Sequence, residues 1–403
     1  MSVVEQIEGR LAGFEAKLAK RVRKFESEAE AEVVAEFQRL AAEAHAQAAD
    51  KTAPRHPELA WVHSVLGRAE HLGHQLDAEA IVEKDGSLVG INKFEQLDPE
   101  WSLALIEYLE HRHDPAPFGD RPGHVELAAR TKLAVAGDWG TGYWRGDETP
   151  ASRVARHMLA GEPDWTIHLG DVYYAGTADE ERQNLGEIWP RGRVGQLLLN
   201  SNHEMYSGGR PLFEGAIPQL APQQNQTSFW SASNANWFIV GLDTAYFATD
   251  IYLKGNLGSD NPQTRWLAGL REQIGARKLI VMSHHEPVDF AGSTTTTVFD
   301  QLTQLLQRTP DYWYWGHLHN AIVYRDLPGA FTGRCIGHGS IPYGDAFGLA
   351  GLDTVEWYET QNAGDPDYEE RVLCGFIELV LDGPELSERL IGEDGSVRWT
   401  ASG

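Results

Sequence analysis

NPQTRWLAGLREQIGARKLIVMSHHEP, residues 261–287, joins a helix to a strand and ends the strand on two imidazoles. Asn261 suits an N-cap, Pro262 the first turn and Gly275 the stop, so the first half reads as a helix. KLIVMS then reads as a buried strand, followed at once by His284 and His285. The same order recurs downstream, where VFDQLTQLLQR (298–308) reads as an amphipathic helix that feeds YWYWGHLHN (312–320). Upstream, KLAVAGDWG (132–140), DWTIHLGDVYY (164–174) and LLLNSNHE (197–204) are further apolar runs that finish on polar residues. Helices alternating with short apolar strands predict an α/β fold.

In open α/β sheets, ligands gather beyond the carboxyl ends of strands, where loops converge and backbone groups are free. Five runs here end in side chains that ligate metals: Asp138; Asp171 with Tyr174; Asn202 beside His203; His284; and His317 with His319. A single Gly-Asp turn or a lone Asn-His is ordinary loop chemistry. Five strand ends choosing carboxylate, phenol, amide and imidazole together point to a metal site.

The blocks GDWG, GDVYY, SNHE, VMSH and GHLH, in this order across residues 137–319, resemble the signature of the purple acid phosphatase branch of the calcineurin-like metallophosphoesterases: GDxG, GDxxY, GNHE, VxxH and GHxH. The resemblance implies a two-sheet β-sandwich flanked by helices, holding two metal ions. Carried over block by block, Asp138, Tyr174 and His319 hold the first ion, Asn202, His284 and His317 the second, and Asp171 bridges them. Two metals about 3.5–4 Å apart can clamp both sides of an in-line displacement. The implied activity is hydrolysis of phosphate esters, foremost monoesters, by attack of a metal-bound hydroxide, with His203 as proton donor to the phosphoryl group or the departing oxygen. The implied ions are Fe(III) plus a divalent Fe, Zn or Mn. Gly140 stands where many members outside the purple branch carry His, and Ser201 stands where the pattern has Gly. Alternatives are a phosphodiesterase of the same fold, or a metal-binding scaffold acting through an N-terminal helix.

Three further histidines are candidates of different standing. His285 either faces substrate or packs, and His338, in the glycine-rich GRCIGHGSIPYG, is expected at the pocket rim; both are candidate substrate-binding residues alongside His203. His168 sits inside a strand pattern and is expected in the core.

Outside these blocks the chain is acidic. Its 403 residues carry 34 Lys+Arg against 59 Asp+Glu, a formal charge of -25 that repels a phosphate backbone and argues against nucleic acid as partner. Cys335 and Cys374 cannot build a multi-bridge disulfide framework. The opening MSVVEQIEGRLAGFEAKLAK alternates charge with apolar residues, so neither export nor membrane insertion is expected and a cytoplasmic protein is. Residues 3–45 carry apolar residues at three-four spacing, which predicts a helix or helical pair that packs on the protein's own body or forms a coiled coil with a second copy. A helix over 57–80, a hairpin at Asp85-Gly86 and a helix from Asp98 follow. The Pro/Gly-rich DPAPFGDRPGH (114–124) marks the boundary between a mainly helical N-terminal region, 1–125, and a catalytic domain, 126–403. The expected ligand is a small phosphorylated molecule.

Overall fold

The computed structural model describes residues 81–82, 88–89, 104, 107–108, 110–142, 144, 147–249, 252–341, 346–365 and 371–402. The stripe of 3–45, the helix of 57–80 and the Asp98 cap lie outside them. Strands β1 (Ile81–Val82) and β2 (Leu88–Val89) pair antiparallel, as the Asp85-Gly86 turn predicts. Ala104, Glu107, Tyr108 and Glu110 are helical, in keeping with a helix that starts near Asp98.

The remaining strands, in chain order, are β3 (Gly123–Glu126), β4 (Arg130–Ala136), β5 (Trp165–His168), β6 (Gly195–Leu198), β7 (Trp230–Ser233), β8 (Trp237–Leu242) and β9 (Lys278–Ser283). They continue with β10 (Tyr312–Trp315), β11 (Ala321–Tyr324), β12 (Thr332–Ile336), β13 (Val355–Tyr358), β14 (Gly375–Asp382), β15 (Glu385–Gly392) and β16 (Val397–Ser402). One sheet runs β13-β11-β12-β10-β9-β8-β7-β3 and the other β16-β15-β14-β4-β5-β6. Within them β4, β5 and β6 are parallel, as are β8, β9, β10 and β12, so each sheet sends a set of carboxyl ends one way. Among the described residues no helix is long and apolar enough to cross a membrane.

Alternation along the strands builds the layers. Leu133 and Val135 of β4, with Ile239 of β8 and Ile280 and Met282 of β9, fill one core between the sheets. Their neighbours point outward: Ala134 and Ala136 meet Val154 and Met158 of helix α1 (Pro150–Ala160), and Leu279 and Val281 meet Leu267 and Leu270 of helix α3 (Pro262–Ile274) and Leu302 of helix α4 (Thr297–Leu306). The short helix α2 (Asn202–Tyr206) follows β6. The result is a two-sheet sandwich with helices outside each sheet, the fold implied by the five blocks. Each fully buried Leu or Ile in these layers contributes about 1.5–3 kcal/mol.

Helix α3 begins as its sequence dictates. Asn261 accepts from Thr264 N, the Thr264 hydroxyl accepts from Asn261 N, and Pro262 occupies the first turn where no amide hydrogen is needed.

A buried polar cluster crosses between the sheets. Arg334 of β12 donates to both carboxylate oxygens of Glu388 on β15 (3.2 and 3.1 Å), and the Tyr314 hydroxyl of β10 donates to the same carboxylate at 2.8 Å. All three side chains are buried. Glu388→Ala would leave the guanidinium buried without its counter-charge and is expected to cost about 3–5 kcal/mol in urea unfolding. Arg334→Met combined with Glu388→Leu should cost far less. A single variant as stable as wild type would mean that the crossing contact contributes nothing.

Candidate metal centre

Five strand ends meet because backbone bonds hold their loops against one another. Beyond β4, Asp138 N donates to Gly170 O (2.9 Å), Trp139 N to Asp171 O (2.6 Å) and, in return, Tyr173 N to Trp139 O (2.9 Å), which zips the first two loops. Gly137 N donates to Ile336 O and Gly339 N to Gly137 O, which joins them to the other sheet. His317 N donates to Asp138 Oδ2 at 3.0 Å. Such crowding needs bare backbone: a Cβ on Gly316 would stand 2.7 Å from Asp138 Oδ2, and one on Gly337 would stand 2.9 Å from it.

Asp138 (φ 60°), Asp171 (φ 83°), His317 (φ 70°) and His319 (φ 51°) all adopt left-handed backbone. That region is uncommon for residues with a Cβ, and concentrations of it mark functional sites held by surrounding structure. Part of the restraint on Asp171 is Glu204, whose carboxyl accepts from Asp171 N (3.1 Å) and Val172 N (2.9 Å). Burial pushes the Glu204 carboxyl up from its ordinary range. Glu180 does the same for the next residues, accepting from Tyr174 N (2.8 Å) and Ala175 N (3.2 Å). Glu204 lay within a quoted block and Glu180 completes the Thr177-x-x-Glu180 capping pattern, so both were visible as residues. Their partners, backbone amides distant in sequence or around a turn, were not.

The side chains converge closely. His319 Nε2 lies 3.2 Å from Asp138 Oδ1 and 3.1 Å from Asp171 Oδ2. His284 Nε2 lies 2.8 Å from Asn202 Oδ1 and 3.1 Å from His317 Nδ1. These six side chains are buried. Asp171 also comes within 4.8 Å of His284, and its other oxygen lies 3.2 Å from His203 Nε2 and 3.3 Å from the Ser201 hydroxyl.

The donors fit a cation. His284 Nδ1 lies 3.1 Å from the Leu169 carbonyl, an acceptor only, so in a neutral ring Nδ1 carries the hydrogen and Nε2 a lone pair. Asn202 donates through Nδ2 to the Tyr206 hydroxyl at 3.1 Å, which turns its amide oxygen toward that same Nε2. With the ring neutral, two lone pairs thus face each other at 2.8 Å, a repulsion that a cation bound by both removes. A carbonyl behind the imidazole is the usual support of a metal-ligating histidine.

The other expected residues fall into two sets. His203 is within the cluster: Nδ1 lies 2.6 Å from the Tyr174 carbonyl and Nε2 faces Asp171, so each nitrogen meets an oxygen acceptor. Tyr174 stacks on Tyr173 with ring centroids 5.0 Å apart, and its hydroxyl lies against Gly142. The Tyr173 ring lies beside His203 (5.1 Å) and His319 (5.9 Å). His285 comes near His284 and His317, yet its ring engages Thr244 Oγ1 and the Tyr252 carbonyl, both at 2.9 Å. His338 departs from expectation. It is only 2% exposed, packed where a Cβ on Gly375 would meet its Nε2, and burial lowers its pKa to about 3. The glycines around it let the loop sink against residues 137–138 instead of forming a rim. His168 is buried in the core as expected, with its pKa lowered to about 3 for the same reason.

The calcineurin-like phosphoesterase family model matches residues 131–321, the span that holds all five loops. No curated protein matches the chain in sequence. Among solved structures, purple acid phosphatase PPD1 from yellow lupin (Lupinus luteus) seeds aligns at 14% identity and a TM-score of 0.49, over 71% of this chain and 55% of that one. The chain therefore spans only a little over half of the lupin protein. GAP50, the anchor in the inner membrane complex of Plasmodium, aligns at 12% identity and a TM-score of 0.48, over 68% of this chain and 88% of that one. Residues 131–321 thus belong to the calcineurin-like phosphoesterase family.

Proposed function

We propose that the protein is a dinuclear-metal-dependent phosphatase acting on small phosphomonoesters. The observation that carries this reading is the facing pair of lone pairs on His284 Nε2 and Asn202 Oδ1, inside a buried set of two carboxylates, an amide and three imidazoles. Asp138, His319 and a tyrosine, Tyr174 by the family pattern, would hold one ion. Asn202, His284 and His317 would hold the other. Asp171 suits the bridging place because its two oxygens face different neighbours, His319 on one side and His203 with Ser201 on the other. An oxygen-rich first set suits Fe(III), and an imidazole-rich second set suits divalent Fe, Zn or Mn. Bound ions of this kind supply Lewis acidity and a nucleophilic water at neutral pH.

The protein's own part is to position and to donate. His203, anchored through Nδ1 by the Tyr174 carbonyl, aims Nε2 at the cluster, where it would hydrogen-bond a phosphoryl oxygen or protonate the departing oxygen. Glu204 fixes the backbone that presents Asp171. The formal charge of -25 supports a small substrate over a nucleic acid.

Purified protein should contain metal and hydrolyse phenyl phosphate, and a chelator should abolish turnover until Mn, Zn or Fe is restored. Turnover that survives complete metal removal would sink the reading, and faster turnover of a diester would favour a phosphodiesterase. Asp171→Asn is expected to lower metal content and turnover together. For His203→Ala, metal should stay bound while turnover falls roughly 10²- to 10⁴-fold, with a smaller loss for nitrophenyl phosphate, whose leaving group needs less protonation. Glu204→Gln offers the amides of Asp171 and Val172 one acceptor oxygen in place of two. Metal affinity, followed by titration, should weaken about 10- to 100-fold, the range for a residue that orients a ligand; unchanged affinity would show that Asp171 needs no such support.

A further inference from the structure

The helical residues near 104–111 precede the family stretch, yet they pack on the candidate centre. Ala104 is buried among Tyr173, Tyr174, Tyr206 and Ile341, and Tyr108 joins that cluster. Tyr108 meets Tyr206 edge-on at 6.2 Å and Tyr252 edge-on at 6.1 Å. Both neighbours touch the centre's own supports. Tyr206 accepts from Asn202 Nδ2 and lies 5.0 Å from the His203 ring, and the Tyr252 carbonyl lies 2.9 Å from His285 Nε2.

This segment is clamped in place. Ala116 N donates to Gly208 O at 2.8 Å, the Tyr246 hydroxyl donates to Ala116 O at 2.7 Å, and Arg210 pairs with Asp114 at 3.1 Å. Tyr206 and Tyr173 are fully buried, whereas Tyr108 and Tyr252 keep part of their surface exposed. The aromatic cluster therefore has an inner end against His203 and an outer end that a ligand could touch.

We propose that Tyr108, with Tyr252, is a specificity-determining wall that receives an aromatic leaving group of the phosphomonoester. This rests on the phosphatase reading and on His203 as the group nearest the departing oxygen: ring contacts run from His203 to Tyr206, from Tyr206 to Tyr108 and from Tyr108 to Tyr252, so the partly exposed end of the cluster lies on the His203 side. Aromatic rings gain from edge-to-face contact beyond area burial, by an amount worth roughly 3- to 10-fold in KM. A hydrated polyol leaving group gains little there.

The test compares phenyl phosphate with glycerol phosphate on the full chain, each variant referred to wild type on the same ester so that intrinsic leaving-group reactivity cancels. Tyr108→Ala should raise KM for phenyl phosphate about 3- to 10-fold, change KM for glycerol phosphate less than about 2-fold and leave kcat for both near wild type. Tyr108→Phe should restore the wild-type KM. Tyr252→Leu should give the same split, and it stands in if Tyr108→Ala does not fold. Equal changes on both esters, or none on either, would overturn the wall while leaving the phosphatase reading intact. No turnover of either ester by metal-loaded wild type would overturn both.

Discussion

Asp138 is the point on which the two sheets agree. Its amide donates to Gly170 O on one side, its carbonyl accepts from Ser340 N and Ile341 N on the other, and its carboxylate receives His317 N. The loops after β5, β10 and β12 cannot move without disturbing this knot, because all three bond to it or to its neighbour Gly137. The close approach also explains why glycine stands at 316 and 337, where any Cβ would strike its oxygen. Asp138 and His317, which share these contacts, both have left-handed backbone, and Glu204 adds the restraint at Asp171. Strain of order 1–3 kcal/mol per residue persists only where surroundings over-determine it.

The sequence made some of this legible. Asn261, Pro262 and Gly275 act as cap, first turn and stop because their reasons are local, and the helix runs between them as read. Strand ends carrying Asp138, Asp171, Asn202, His284, His317 and His319 could be recognised because apolar runs reveal strands and polar ends reveal what strands deliver. That they would meet within hydrogen-bond distance needed tertiary structure.

Other features had no local signature. Glu204 spends its carboxyl on amides of a distant loop, and His338 carries the same letters as a surface imidazole while lying buried below Gly375. That the Tyr173 ring stands edge-on to His319 depends on backbone geometry that spacing does not encode. Tyr108 was equally silent. Its role as a neighbour of Tyr206 and Tyr252 arises only when a segment before residue 114 folds back onto the strand ends.

Asp138, Asp171 and Asn202 follow strands of one sheet, and His284, His317 and His319 follow strands of the other. A cation held by both groups would be a rivet through the sandwich as well as a reagent. By mass action, an ion at 100 times its dissociation constant adds about 2.7 kcal/mol to the folded state if it binds only that state. The lifetime of the chain against proteolysis would then follow the supply of metal around it, so that scarcity lowers the amount of enzyme along with its activity.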